Sequence, residues 1–183
     1  MTPENAAEIV QRSLVLLFQN DSLLLTNDVS ERAITHRLAQ YIESALTSVQ
    51  LNGLQVDCEY NRNLPAGPGA PKRIELLVRG RAGELQNRND LDEDEYRSVT
   101  TFPDIVVHHR GDNARNALVI EVKKSTNKTS EQFDHQKLCA FTENTEHNAF
   151  RYCHGVFIYL IAGEPELTPA RLEWFRNGER ALG

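Results

Sequence analysis

Apolar residues recur along this chain in two periods, and the switch between them lays out its elements. From Glu4 to Phe18 they fall every three to four residues, as on one face of a helix. A polar break over Asn20–Asp28 follows, interrupted by Leu23–Leu25. A clearer stripe through Val29, Ala33, Ile34, Leu38, Ile42, Ala45 and Leu46 predicts a second helix, which Asn52-Gly53 stops. Gln55–Asn61 alternates as a short strand, and Asn63–Pro71, with three prolines and two glycines, predicts a loop. Ile74–Val78 predicts a further strand, and the acids of Asp90–Glu95 an exposed loop.

The second half is patterned more strongly. Asp104–His109 and Ala117–Lys123 are rich in Ile and Val, and Arg110-Gly111-Asp112-Asn113 between them predicts a hairpin. Ser130–Thr142 predicts a helix, with Thr129 and Gln132 spaced as a capping box. Tyr152–Ile161 reads as a buried strand, and Leu167–Arg176 as a closing helix that carries Trp174 and Phe175 to a core or an interface. The series is that of an α/β fold, a central mixed β-sheet flanked by α-helices. It is read as one domain over residues 1–183, with an inserted loop region spanning 63–98.

Composition narrows the function classes. The most apolar run, Leu14–Phe18, is far short of the roughly 20 residues of a spanning helix, so no membrane partner is expected. Acids at the amino terminus, without a basic flank, argue against a secretory signal. Three scattered cysteines, Cys58, Cys139 and Cys153, suit a reducing, cytoplasmic setting better than a disulfide framework. The net charge of −6 disfavours a protein that holds nucleic acid by overall charge. Contact with DNA then needs a local basic surface or metal ions that bridge to phosphate.

The candidate chemistry lies in Pro103-Asp104 and Glu121-Val122-Lys123. Alternation puts Glu121 and Lys123 on one face of an otherwise apolar strand, with Val122 on the other. Buried charge is costly unless paired or metal-bound, so something must stand opposite. With the turn centred between 112 and 114, paired residue numbers sum to 224–228, which sets Asp104 opposite 120–124. Two neighbouring carboxylates repel unless a cation separates them. Hard oxygen ligands favour Mg2+ or Mn2+, and a lysine beside the metal suits phosphodiester hydrolysis.

This arrangement resembles the PD-(D/E)XK nuclease superfamily, over roughly Ser30–Ile161. The resemblance implies a restriction-endonuclease-like core ordered helix, three antiparallel strands, helix, strand. It also implies that Asp104 and Glu121 bind the metal with the Val122 carbonyl, while Lys123 serves the attacking water and the transition state. Glu31 matches the glutamate that many members add from the preceding helix. Glu59, Asn61 and Arg62 fall where related domains place accessory polar groups, and Asp134 and Lys137 fit a polar stripe on the following helix. Substrate contacts are expected from Glu59, Arg62, Arg110, Lys124 and Lys137, with DNA as partner and a homodimer or larger complex as the working form.

Plainer readings stand beside these. Asp28 and Glu31 have capping-box spacing, so Glu31 has a purely structural alternative. Glu121 and Lys123 have the alternative of an edge-strand pair facing water. Asp90, Asp92 and Asp94 resemble calcium-loop positions, but Glu95 replaces the turn glycine. His108 shares the Asp104 face by alternation, and its plainer role is a satisfied or exposed histidine. Lys124, Lys128, Arg110 and Arg115 are either a basic rim for phosphate or scattered surface charge. Two function classes follow: a metal-dependent DNA nuclease, or a catalytically silent module of the same fold that binds nucleic acid or protein.

Overall fold

Both amino-terminal stripes form helices in the computed structural model, which describes residues 1–49, 51, 53–78 and 95–181. Helix α1 (Pro3–Asn20) starts at Thr2, whose side chain accepts from the Asn5 N–H, with Pro3 at the first turn, where no donor is needed. The expected polar break holds a five-residue helix, α2 (Ser22–Thr26), because Leu25 buries itself in the core. Helix α3 (Glu31–Ser48) is capped by Ser30, whose hydroxyl accepts from the Ala33 N–H. Ile9, Val10 and Leu17 of α1 and Ile34, Leu38 and Ile42 of α3 share one buried cluster.

Eight strands follow: β1 (Gln55–Cys58), β2 (Arg73–Val78), β3 (Glu95–Thr100), β4 (Ile105–His108), β5 (Leu118–Lys124), β6 (His154–Leu160), β7 (Arg171–Arg176) and β8 (Glu179–Arg180). Helix α4 (Gln132–Thr142) joins β5 to β6. Six strands form one mixed sheet in the order β1-β4-β5-β6-β7-β8, in which only β5 and β6 are parallel. A parallel pair needs a crossover, and α4 supplies it. β2 and β3 pair with each other as a separate hairpin.

Alternation along β5 divides the core. Leu118, Ile120 and Val122 join the cluster under α1 and α3, while Val119 joins Val106, Leu138, Phe141, Phe157 and Phe175 on the α4 side. The β4–β5 hairpin pairs Ile105 with Ile120 and Val107 with Leu118, so its register sums to 225, inside the expected window.

The last element differs from expectation. Leu167–Arg176 does not form a helix; Arg171–Arg176 is a strand antiparallel to β6. From Leu172 its burial alternates, with Glu173 and Phe175 buried and Leu172, Trp174 and Arg176 less so, which is the period of two that a strand requires. The decisive signal is Asn177-Gly178, both at positive φ (53° and 82°), the two-residue turn that closes a hairpin onto β8. The 63–98 insert is likewise more than a loop: it holds a 3-10 turn at Leu64–Ala66, β2 and most of β3. The acids Asp90, Asp92 and Asp94 lie outside the described residues. The expected Thr129–Gln132 capping box does not form; Thr129 bonds Asn127 and the helix starts after Glu131. Among the described residues no helix is long and apolar enough to cross a membrane, and all three cysteines are free thiols.

One buried cation ties the insert to the core. Lys72 is 1 % exposed; its Nζ donates to the Tyr152 hydroxyl at 2.6 Å and lies 5.1 Å from the Tyr60 ring centroid. Burial pulls its pKa down to about 8. Between pH 8 and 10.5 the unfolded chain therefore binds more protons than the folded one, and stability rises with pH. Lys72→Met removes that dependence. Urea unfolding at a series of pH values should show the stability of Lys72→Met, relative to wild type, falling by about 3 kcal/mol from pH 8 to pH 10.5. A difference that stays flat over this range contradicts the buried ammonium.

Candidate functional site

The site arises where two paired strands differ in length. The β4–β5 ladder ends at Ile105–Ile120, but β5 runs on through Lys124. The Val122 and Lys124 N–H groups therefore lack strand partners on that edge, and carboxylates replace them. Asp104 Oδ2 accepts from Val122 N at 2.7 Å, and Glu31 Oε2 accepts from Lys124 N at 3.0 Å. A residue in a strand sends its N–H and C=O to the same edge, so the Val122 carbonyl also faces Asp104 and Glu31. A crevice of about 420 Å³ opens here, lined by Glu31, Arg32, Thr35, Cys58, Glu59 and Asp104.

Glu31 settles between its two readings. The α3 cap is Ser30, Asp28 pairs with Lys124 and Thr126, and the Glu31 carboxylate reaches across to β5 and Asn127. The Asp28–Glu31 capping box is absent, and Glu31 faces the crevice.

Glu121 and Lys123 are buried on the α4 side, against the reading of a water-facing edge pair. Glu121 is 1 % exposed; its Oε2 accepts from Lys137 Nζ at 2.5 Å, and its Oε1 is buried without a hydrogen-bond partner among the described residues. Lys137 Nζ also lies 3.1 Å from Asp134, whose other oxygen accepts from Lys123 Nζ at 2.8 Å. Glu121, Lys137, Asp134 and Lys123 thus form one chain of alternating charge between β5 and the first turns of α4.

Burial, and then the Asp104 charge, push the Glu121 pKa well above the usual carboxylate range. Burial also lifts Asp104 to about 6, although the Val122 hydrogen bond opposes it. Burial alone would lower Lys137, but Glu121 and Asp134 outweigh it and hold the pKa raised.

The other expected contacts divide. Glu59 reaches the crevice: its N–H donates to the Asp104 carbonyl, and its carboxylate pairs with Arg32 at 2.8 Å. Lys124 is nearby, with its ammonium bonded to Asp28 and the Val29 carbonyl. Lys137 and Asp134 contact the β5 pair directly. Arg62 is exposed, bonds Asn61 and does not line the crevice. Arg110 lies past the opposite end of β4, where it pairs with Asp57. Buried His108 pairs with Asp57 too, away from Asp104. Arg115 sits in the hairpin turn and Lys128 is exposed, so these charges form no continuous rim. Arg32, Thr35 and Cys58 were not expected. Thr35 had a signal, since it lies one helical turn after Glu31 on the same face.

Asp104, Glu121 and Glu31, with the Val122 carbonyl, offer hard oxygen donors of the kind Mg2+ or Mn2+ takes, but their carboxylate oxygens do not all converge within 4.8 Å of one another. Among the described residues, Glu131, His135 and Glu173 do bring their ligand atoms that close. There Arg171 bonds Glu131 and Glu173, and Arg180 lies 3.1 Å from Glu173. Two guanidinium groups balance the two carboxylates, yet Glu173 Oε2 and His135 Nε2 are buried without a hydrogen-bond partner among the described residues, as Glu121 Oε1 is. Comparisons with protein-family models, curated proteins and solved structures found no match.

The raised Asp104 pKa has a consequence for stability. From pH 4 to 6 the folded protein holds a proton that the unfolded chain has released, so this carboxyl lowers stability as pH rises. Asp104→Asn keeps an acceptor for Val122 and removes the charge. In EDTA its gain in thermal unfolding should be absent at pH 4 and approach about 3 kcal/mol at pH 7.5. A variant that is destabilised at pH 7.5 would contradict this account of the site.

Proposed function

We propose that this chain is a divalent-metal-dependent nuclease of the PD-(D/E)XK type that hydrolyses DNA phosphodiester bonds at the open edge of β5. The observation that carries the reading is Glu121 Oε1, a buried carboxylate oxygen without a partner beside a second raised-pKa carboxylate. Such an atom is costly to bury and is answered by a cation. The order α3, β1, β4, β5, α4, β6 supports a restriction-endonuclease-like core, with β1, β4 and β5 antiparallel and β6 added parallel to β5. The β2–β3 hairpin is then an excursion between the first two core strands.

Asp104, Glu121 and the Val122 carbonyl would hold Mg2+ or Mn2+, with Glu31 at the crevice end. Bound there, the metal supplies a water of lowered pKa and a Lewis acid for a phosphoryl oxygen. Lys123 lies two residues beyond Glu121 on the same face, where its ammonium can orient the attacking water and stabilise negative charge on phosphate. Asp134 fixes that ammonium, and Lys137 balances Glu121. Arg32 at the crevice mouth adds a local positive charge on a chain of net charge −6. Cutting both strands of a duplex at once takes two such sites, which a homodimer provides.

The silent-module reading has one observation in its favour. The chain Glu121–Lys137–Asp134–Lys123 satisfies most of its own charge, as a retired site stabilised by salt bridges would.

Calorimetric titration of wild type and Asp104→Ala with Mg2+ and Mn2+, alone and with a phosphorothioate-protected DNA, separates the two. The nuclease reading expects binding that Asp104→Ala loses. It also expects Lys123→Ala to cut DNA at least about 100-fold more slowly with an unchanged circular dichroism spectrum. A wild-type protein that takes up neither metal under either condition rules the nuclease out and leaves the silent module.

A further inference from the structure

A second cavity, about 830 Å³, runs between α4 and the β2–β3 hairpin. Its floor is apolar, with Leu76, Val99 and Ala140. Its walls carry two aromatic rings that neither element covers: Phe133 on α4 is 45 % exposed and Tyr96 on β3 is 37 % exposed. Tyr96 is stacked on His147, with centroids 3.8 Å apart and planes at 16°, so one wall presents a flat surface that is already ordered. Gln132 and Gln136, one helical turn apart on α4, bring amide donors and acceptors into the same space.

The groove opens onto the charged chain of the candidate site. Phe133 directly precedes Asp134, and Lys137 Nζ lies 5.5 Å from the Phe133 ring centroid while it donates to Glu121. A ligand on the Phe133 face therefore lies beside Lys137.

From this continuity we infer that the groove holds unpaired bases of single-stranded DNA, and that the site acts on a strand whose bases are splayed out of a duplex. The inference rests on the nuclease reading for the placement of the phosphate. Exposed rings at a groove wall accept any base face, since each base carries a π surface. The charges agree with bases inside and phosphates outside. Within the groove stand Glu75 and Glu143, the latter bonded to Asn148, which repel a phosphate backbone. Arg97 in the groove lining offers a cation to the backbone. A protein of net charge −6 has little general attraction for duplex DNA, so stacking must supply a larger share of binding.

The test is fluorescence anisotropy in EDTA, with fluorescein-labelled oligothymidylate and a blunt duplex of equal length. The single strand should bind more tightly than the duplex. Phe133→Ala and Tyr96→Ala should each weaken single-strand binding about tenfold, the equivalent of one lost stacking contact. Phe133→Trp should restore it, and both alanine variants should keep the wild-type circular dichroism spectrum at the assay temperature. No single-strand binding, equal binding of the duplex, or unchanged affinity in both alanine variants overturns the inference. Because EDTA removes any need for metal, its failure is separable from that of the nuclease reading. A protein that binds single strands through these rings yet cuts no DNA with Mg2+ or Mn2+ keeps the inference and loses the nuclease. One that cuts duplex DNA equally well in both alanine variants does the reverse.

Discussion

Strand β5 outruns its partner β4 by four residues, and the arrangement of the site follows from that mismatch. A strand edge inside a protein cannot leave its N–H groups unanswered. Another strand would have sealed this edge with backbone; here Asp104 and Glu31 seal it with carboxylates. Negative charge is thereby gathered beside the Val122 carbonyl, which faces the same gap. Helix α3 contributes through its first residue because its cap is Ser30, which frees Glu31 to cross to β5.

The second cost is electrostatic. Glu121 is nearly inaccessible to water, and the penalty for an ion there is several kcal/mol even after relaxation. Helix α4 offsets it from one side only, through Lys137, so one oxygen remains unanswered. Asp134 then separates Lys137 from Lys123, and two ammonium groups coexist near one another without direct repulsion. A fold selected for stability alone would gain by exchanging these four charges for apolar side chains of similar volume.

Sequence patterning exposed the β4–β5 hairpin because its strands are apolar and its turn is polar. Once the turn centre was bracketed, Asp104 had to meet Glu121 and Val122. The same reasoning failed at Arg171–Arg176, where Leu172, Trp174 and Phe175 fit a helical stripe as well as a strand. Asn177-Gly178 was the better guide, since two consecutive positive φ angles close a hairpin and do not continue a helix. Strand β3 gave no periodic signal: Glu95, Arg97, Ser98 and Thr100 are polar, and its only cover is β2 and the groove beside α4. Asp134 and Lys137, which the resemblance implies as a polar stripe on the following helix, contact Lys123 and Glu121. Arg62 and Arg110 were not, because nearness in sequence to a motif strand says nothing about which end of that strand a side chain occupies. Arg110 follows the far end of β4, and the whole length of that strand separates it from Asp104.

Residue identity alone does not mark a cation site, and this chain holds the comparison that demonstrates it. Glu131, His135 and Glu173 are more familiar metal ligands than a carbonyl and three carboxylates, and they converge within 4.8 Å. Yet Arg171 and Arg180 enter that cluster from the sheet and bring as much positive charge as the glutamates bring negative. At the β5 edge the balance is different. Glu121 pairs with Lys137, which is shared with Asp134, while Lys123 is paired with Asp134 and Lys124 with Asp28. Burial first, and neighbouring carboxylate charge after it, raises the pKa values of Asp104 and Glu121, so this edge takes up protons more readily than an exposed pair of acids would.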